Sequence, residues 1–416
     1  MSSAKKLFFL GIVLCVLLSP SLTCLAVNPE PSWVMWSKTY GGADAENTSS
    51  MVEIVDGYYV ILADRLLLKI DANGNMEWNQ TISQNENDLT SMLIQANDGG
   101  FVIAGNTYSY GAGLSDFWLV KTDSTGNVQW NQTYGTEYYE RALALTQTFD
   151  GGYALVGEAY DAGENALFVK TDGSGNMVWN KTYSVGTANR FTDVIQTVDG
   201  GFVLVGSTNP VGGDRDGWIT KLNFTGGVEW SHTFDLNDND YFNKIIQTTD
   251  GKYTIAGSTN SFESSQYDFW LAKLDTTGYM LWNQTYGGPR DDQCSSVIQT
   301  SDGGYALAGS TTSYGYGNSD VWLVKTDDEG NMQWTKNYGG ERNDRAAALL
   351  ETSDGGYILV CSTESFGTES IDVWVFKTNI QGVPEFPTWL VLPILASVTA
   401  VAFFYKKKLA KTPNWR

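Results

Sequence analysis

The 416-residue chain is predicted to be all-β: a seven-bladed β-propeller with four-stranded blades, its ring closed by a strand from the N-terminus. Three observations predict this. An Asp-Gly pair recurs at Asp56, Asp98, Asp150, Asp199, Asp250, Asp302 and Asp354, with spacings of 42, 52, 49, 51, 52 and 52 residues. Each copy divides at turn residues into four short runs rich in β-branched and aromatic residues, for example SSVIQT, GYALAGST, DVWLVKTD and NMQWTKNY. Such a unit cannot bury its faces alone and needs a ring of neighbours. Finally WSKTYGG, Trp36 to Gly42, stands ahead of the first copy, whereas its relatives WNQTYG and WTKNYGG each end one.

Runs such as VWLVK are apolar at consecutive positions, which fits strands covered on both faces by neighbouring blades. No helical period lies between the two ends of the chain. The seventh copy continues through DVWVFKTNIQG, but Phe386 stands where the closing Trp is due, four residues past Gly382. Its fourth strand is missing, and the spare segment at Trp36 supplies it. Joining the two closes the ring and leaves no open array edge.

Between the third and fourth strands a turn recurs with Asp or Asn, then Gly three residues on, then Trp after four more. The copies are Asp71/Gly74/Trp78, Asp123/Gly126/Trp130, Asp172/Gly175/Trp179, Asn223/Gly226/Trp230, Asp275/Gly278/Trp282 and Asp327/Gly330/Trp334. Asx-type hairpin turns with Gly at positive φ account for these spellings; a calcium loop would need further oxygen ligands and a distal Glu. Strings such as DSTGNVQW resemble the tryptophan-docking repeats of quinoprotein-like propellers. That resemblance spans residues 33–382 and implies that each Trp packs against the next repeat. The quinone-binding enzymes of that family usually have eight blades and often an adjacent-cysteine pair; with seven copies and no such pair, no quinone cofactor is expected.

The ends read as address signals. Residues 1–26 carry Lys5 and Lys6, the apolar run LFFLGIVLCVLL and small residues at Cys24 and Ala26, the pattern of a secretory signal peptide. Residues 27–382 are then the propeller ectodomain, 383–388 a linker, 389–405 an uncharged transmembrane or sorting helix, and 406–416 a basic cytoplasmic tail headed by three lysines. Pro384, Glu385 and Phe386 resemble the PEF-type C-terminal sorting signal of archaeal surface proteins, which implies either removal of the helix and lipid attachment or anchorage by the helix itself. Outside the signal and the basic tail, 19 basic residues face 47 acidic ones, a balance of −28 that argues against a nucleic-acid partner. With the signal removed, Cys294 and Cys361 remain, so no disulfide framework holds the fold, and His232 is the single histidine.

Three sets of candidate residues follow. Sequons at Asn47, Asn79, Asn131, Asn180, Asn223 and Asn283 are glycosylation candidates on an exported chain. The variable loops between second and third strands carry aromatics at matching positions, Tyr110, Phe262, Tyr314 and Phe366, on the face where propellers bind partners. Ten residues before each Asp-Gly stand Glu46, Asp88, Glu140, Asn189, Asp240, Asp292 and Asp344, at the start of the innermost strand, followed by Arg in three blades: Arg141, Arg190 and Arg345. The six carboxylates either form a ring at one mouth of the central channel, able to hold calcium or meet a cationic partner, or cap the backbone of their own turns. Asn189, an uncharged Asx residue in the same place, favours the turn role.

No cofactor is required by this inventory, calcium being the one cation it would suit. The expected function is a cell-surface anchored, non-catalytic binding or adhesion module acting on a protein or glycan through its loop face. The alternative is an extracellular carbohydrate-active enzyme with two loop carboxylates as acid and base, a pair needing roughly 5 to 10 Å separation. Because the lysines orient the tail inward, protease added to intact cells should digest the propeller and leave Lys406–Arg416 protected or absent. A propeller detected inside the membrane barrier would reverse that topology.

Overall fold

Alternation of short β-rich runs with Gly-containing turns gives strands throughout the described part of the chain. The computed structural model describes residues 34–379, apart from positions 43, 55–56, 161–162, 211–212, 237, 262–265 and 369. The signal segment, the PEF motif, the 389–405 run, the basic tail and Phe262 therefore lie outside the described residues. Within the described residues, 28 strands form seven four-stranded antiparallel sheets, and no helix is long and apolar enough to cross a membrane.

Blade 6 illustrates the unit: β22 (Asp292–Gln299), β23 (Tyr305–Thr311), β24 (Asp320–Thr326) and β25 (Met332–Tyr338), hydrogen-bonded in that order. The two middle strands are almost wholly buried and the closing strand is half-exposed, as the unbroken apolar runs require. First strands of successive blades pack around the axis, and the first strand of blade 7 packs against that of blade 1, which closes the circle. Blade 7 is built from both ends of the described chain. Its sheet order is β1 (Val34–Tyr40), β28 (Asp372–Thr378), β27 (Tyr357–Thr363) and β26 (Asp344–Glu351). Trp374 donates its indole N–H to Ser37 Oγ at 2.8 Å across that seam.

Among the described residues six junctions between blades carry the same contacts. The third-to-fourth-strand turns are Asx turns: Asp123 Oδ1 accepts from the Thr125 and Asn127 amides at 2.8 and 3.0 Å, and Gly126 has φ +83°. The closing-strand Trp of the preceding blade lies on that glycine. A β-carbon on Gly74 would stand 2.7 Å from Trp36, one on Gly175 2.7 Å from Trp130, and one on Gly330 2.7 Å from Trp282. The same glycine's carbonyl accepts the last tyrosine of that strand, Tyr183 Oη to Gly226 O at 2.8 Å and Tyr134 Oη to Gly175 O at 2.5 Å. Trp36 is half-buried, like its five counterparts in this contact.

Nearer the axis every first strand has a β-bulge between its second and fourth residues, where one residue is skipped in the register of its own sheet. At three bulges that side chain donates to the next blade's backbone instead: Ser91 to Ala142 O at 2.9 Å, Thr192 to Phe242 O and Asn243 to Cys294 O, both at 2.7 Å. The Asp-Gly turns have a structural role too. Asp98, Asp199 and Asp302 pair with the buried ammonium groups of Lys121, Lys221 and Lys325 at 2.8 to 2.9 Å. The Thr197 hydroxyl, against burial and helped by Lys221, holds the Asp199 carboxyl down at about 2.

The docking contact predicts a graded response. Gly99 and Gly74 both have positive φ, +83° and +75°, but a β-carbon on Gly99 meets nothing within 4 Å. Gly99→Ala should cost only the backbone term of about 1–2 kcal/mol. Gly74→Ala should cost clearly more because Trp36 must move. Trp36→Ala should cost about 3 kcal/mol, the lower end of the range for a fully packed Trp. Equal unfolding midpoints for the two glycine variants would show that the indole does not rest on Gly74.

Candidate functional site

The face carrying the second-to-third-strand loops also carries the starts of the innermost strands, so both the acidic positions and the loop aromatics lie there. The acidic residues are turn anchors. Asp88, Glu140, Asp240, Asp292 and Asp344 are buried, each at most 1% exposed, while Glu46 is half-buried. Asp344 accepts from the Gly340 amide at 2.8 Å, from Ser365 Oγ at 2.7 Å and from the Thr363 hydroxyl. Asp88 accepts from Ser83 Oγ at 2.6 Å, Thr107 Oγ1 at 2.9 Å and Ser109 Oγ at 3.0 Å. Asp292 accepts from the Gly288 amide at 2.8 Å, Asp240 from the Leu236 amide at 3.1 Å, Glu140 from Thr136 Oγ1 at 2.6 Å and Glu46 from the Gly42 amide at 3.4 Å. Asn189 fills the same place through its carbonyl, accepting from the Val185 and Gly186 amides at 3.0 and 3.1 Å. Among the described residues no three His, Cys, Asp or Glu side chains are grouped to hold a metal ion. The carboxylates point back into their turns, because a strand start that leaves a buried bend must satisfy the amides of that bend.

The loop aromatics do not converge either. Tyr314 packs on Trp322 of its own blade at 5.3 Å between ring centroids and Phe366 on Trp374 at 4.8 Å, while Tyr110 is 55% exposed. Of the sequon residues, Asn79, Asn131, Asn180 and Asn283 lie on closing strands, the first three exposed and Asn283 half-buried. Asn47 is exposed, and Asn223 Oδ1 caps its own turn at 2.8 Å from the Gly227 amide.

A second acidic register pairs with the first. Third strands begin with Asp116, Asp216, Asp268, Asp320 and Asp372; Asp116, Asp320 and Asp372 flank a glycine together with Glu140, Asp344 and Glu46, the first-strand acids of the following blades. A β-carbon on Gly135 would collide with both Asp116 and Glu140, and one on Gly339 with both Asp320 and Asp344, so only glycine fits between them. Where the first-strand residue is Asn189, the third-strand residue is Asn165. Burial, then Asp235, Asp240 and Asp214, raise the Asp216 carboxyl to about 6.

The second-strand ending departs from the repeat in two blades. Most second strands end in GST or close variants, but β3 (Tyr58–Ala63) ends in Ile61, Leu62 and Ala63, and β11 (Tyr153–Ala159) ends in Gly157, Glu158 and Ala159, the ending that introduces a charge. Glu158 stands where other blades have Asn106, Ser207, Ser258, Ser310 and Ser362, and it is 5% exposed. Around it gather side chains from two further registers. The residue after each first-strand anchor gives Arg141 and Arg190, then Tyr241 in the next blade. The residue before each third-strand Asp gives Glu164, Arg215 and Tyr267, and its backbone carbonyl accepts the next blade's anchor amide: Arg215 O from Asp240 at 2.5 Å, Tyr267 O from Asp292 at 2.6 Å. That bond fixes where Arg215 and Tyr267 leave the chain.

The cluster is charged and aromatic. Arg141 lies 3.8 Å from Glu158, Arg190 Nε donates to Ser207 Oγ at 3.2 Å, and Arg215 Nε donates to Asn209 Oδ1 at 3.2 Å. Burial, then the Arg215 guanidinium, lowers the Arg190 pKa, with Arg141 adding to it and Glu158 opposing. Burial raises the Glu158 carboxyl despite Arg190 and Arg141. Tyr108, Tyr139 and Tyr160, each 43–46% exposed, rim a pocket of about 430 Å³ floored by Asn106, Arg141 and Glu158. Tyr241 and Tyr267 face one another at 5.4 Å between ring centroids, tilted by 57°. Arg141 and Arg190 were marked by the sequence. Glu158, Arg215 and the tyrosines were not, although the GEA ending among GST endings was visible in the chain.

The raised Asp216 carboxyl gives a pH prediction. It keeps its proton in the folded state over a range where the unfolded residue, near 3.9, has lost it. Its stabilising contribution is complete below about pH 4 and disappears as pH rises through 6. Asp216→Asn should therefore flatten the fall in unfolding midpoint between pH 4 and 7 and raise stability at pH 7 by on the order of 1–2 kcal/mol. A parallel pH profile in the variant would remove Asp216 from the explanation.

No protein-family model matches the chain. A segment of 164 residues is 27% identical to the regulatory protein FlaEY of Caulobacter vibrioides, covering 34% of this chain and 17% of that protein, so the chain spans well under a fifth of that relative. Among solved structures, a streptogramin B lyase superposes with TM-score 0.54 at 11% identity, covering 83% of this chain and 98% of that one. Virginiamycin B lyase from Staphylococcus aureus, as a catalytically inactive histidine-to-alanine variant with quinupristin, superposes with TM-score 0.52 at 9% identity over 82% of this chain and 99% of that one. At these identities the likeness is one of architecture: the chain is a seven-bladed β-propeller of four-stranded blades.

Proposed function

We propose that this protein is an exported propeller, held at the cell surface by its C-terminal segment or an attached lipid, that binds a surface glycan or protein without transforming it. The observation that carries this reading is the charged break in the repeat at Glu158, with Arg141, Tyr108, Tyr139 and Tyr160 lining a pocket beside it on the loop face. In a scaffold built from repeated blades, a place that departs in chemistry is where selection for a ligand acts. The rim tyrosines suit recognition, since each offers an apolar ring and a polar tip.

Catalysis is less well supported. The buried thiols of Cys294 and Cys361 are pushed up, Cys294 to about 12, which disfavours thiolate formation. His232 lies on the closing strand β17 (Val228–Phe234), stacked on Trp230, tilted against Tyr279 and bonded to Thr277 O at 3.0 Å, in the turn contact with the next blade and not among the pocket's lining residues. The lyase that resembles this chain in fold is inactivated by loss of a histidine. The carboxylate pairs that an acid–base hydrolase would use recur from junction to junction, as scaffold elements do. Sugars on the closing-strand sequons would leave the loop face free, and no cofactor is needed for binding.

A panel of surface polysaccharides, soluble proteins and calcium, added to the full-length protein, tests this. At least one polysaccharide or protein should raise the unfolding midpoint, by RT ln(1 + [L]/Kd) in free energy, and Arg141→Gln should abolish the rise. New reducing ends released from a polysaccharide would replace this reading with the carbohydrate-active enzyme.

A further inference from the structure

The proposed binding role leaves the ligand's chemistry open, and the hydrogen bonding inside the mouth pocket narrows it. Resting on that reading, we infer that the pocket between blades 2 and 3 takes a neutral pyranose, a residue of an uncharged surface glycan.

Unsatisfied polar groups are the first argument. Asn106 and Glu158 occupy the same register at the ends of two second strands, line the pocket, and are only 4% and 5% exposed. In three other blades the residue at this register is bonded from the next blade: Ser207 Oγ accepts from Arg190 Nε at 3.2 Å, Ser258 Oγ from the Cys294 amide at 3.1 Å and Ser362 Oγ from the Thr48 amide at 2.9 Å. Among the described residues neither the Asn106 carboxamide nor the Glu158 carboxylate has such a bond, and Arg141 Nη1 stands 3.8 Å from Glu158 Oε1, too far for one. A ligand that displaces water here must therefore donate to a carboxylate, accept from a guanidinium, and do both for a carboxamide. A hydroxyl does both. One hydroxyl oxygen fits within hydrogen-bond distance of Arg141 Nη1 and Glu158 Oε1 at once, accepting from the first and donating to the second.

Charge is the second argument. The lining carries Arg141 with Glu158 and Glu140. Glu140 is already held by the Thr136 hydroxyl at 2.6 Å and the Thr136 amide at 3.1 Å, which leaves Arg141 and Glu158 to offset one another. A carboxylate entering the pocket would face two glutamates, and an ammonium would face Arg141. A neutral ligand disturbs neither side of the balance.

Shape is the third argument. Among the described residues the exposed tyrosines of the loop face are unevenly placed: Tyr108, Tyr110, Tyr138, Tyr139 and Tyr160 lie on blades 2 and 3, against Tyr314 and Tyr316 on blade 6. Tyr108 and Tyr139 stand edge to face at 6.5 Å, and the Tyr160 hydroxyl donates to Glu164 at 2.7 Å, so the rim rings are set before a ligand arrives. The pocket, about 430 Å³, is within the range of small-ligand sites. A pyranose has an apolar C–H face to lay on a tyrosine ring and several hydroxyls around one small ring for the groups below. A peptide side chain brings one hydroxyl or amide at a time.

The test is isothermal titration of the full-length protein with three neutral trisaccharides, cellotriose, mannotriose and galactotriose, and with two charged ones, trigalacturonate and the glucosamine trimer. At least one neutral trimer should bind about tenfold or more tightly than either charged trimer. Its affinity should stay within about twofold between about 50 mM and 1 M salt, since no ion pair forms. Glu158→Ser, which restores the residue of the other blades, and Tyr139→Ala, which removes an exposed ring, should each weaken it about tenfold. Tyr316→Ala and Arg345→Gln, on blades 6 and 7, should leave it unchanged. Tightest binding by trigalacturonate or by the glucosamine trimer would overturn the neutral-sugar assignment. Neutral binding that survives both Glu158→Ser and Tyr139→Ala would overturn the site. Failure of every neutral trimer would overturn the assignment while the binding role stands, provided another member of the earlier panel raises the unfolding midpoint; if none does, the binding role falls with it.

Discussion

Six junctions among the described residues have an indole resting on a glycine. Within a blade, strands are joined by hydrogen-bonded ladders, but between blades only isolated bridges and single bonds cross, and face-to-face packing must supply the rest of the cohesion. The turn glycine serves twice in that contact. Its positive φ makes the Asx turn, and its missing side chain lets the preceding blade's Trp lie flat on the turn, as Trp130 does on Gly175. Its carbonyl, turned outward by the same conformation, takes the tyrosine hydroxyl. Trp36 must come from the N-terminal segment for the same reason: Gly74 in blade 1 needs a docking partner, and blade 7 has no closing strand of its own among the described residues.

The acidity of the chain is largely structural. Asp-Gly carboxylates hold buried lysines, Asx-turn carboxylates hold turn amides, and first-strand carboxylates close the bends above them. A third-strand Asp sits against the first-strand acid across several junctions, and its buried Oδ1 at Asp320 accepts no hydrogen bond among the described residues. Where one partner is Asn, the other is Asn too, at Asn165 and Asn189. That joint change shows the two positions responding to one another: a buried carboxylate beside a second one is costly, and an amide pair relieves the repulsion at a single junction. Each acid at the mouth thus satisfies a bend that recurs from blade to blade.

How much of this was legible follows from which features the repeat preserves. Strands, blade number, the Trp-Gly-turn spacing and the displaced closing strand are all periodic, so a single chain displays them several times over. The bulge residues Ser91, Thr192 and Asn243 are chemically dissimilar, and only the packed blades show that they reach the same carbonyl next door. Tyr314 and Phe366 match in position, and each packs on the Trp at the third residue of its own third strand, a contact that spacing alone does not display. The carboxylates stand at or just before the strand starts, as spacing implies, but side-chain direction is fixed by amides of a bend that spacing does not reveal. Glu158 does not recur, so the period carries no signal for it.

In a ring of near-identical blades, recurrence marks what holds the scaffold and departure marks what the scaffold is for. Blade 3 departs twice in adjacent positions. Glu158 replaces a small polar residue, and Ala159 replaces the threonine that in blades 2, 4 and 7 bonds the first-strand Asp or Asn. Losing that hydroxyl removes a bond from Glu140, and placing a carboxylate at 5% exposure adds a desolvation cost that Arg141, 3.8 Å away, only partly offsets. Both changes weaken the blade. A stability loss at two neighbouring positions is retained when the altered surface does something the regular one cannot.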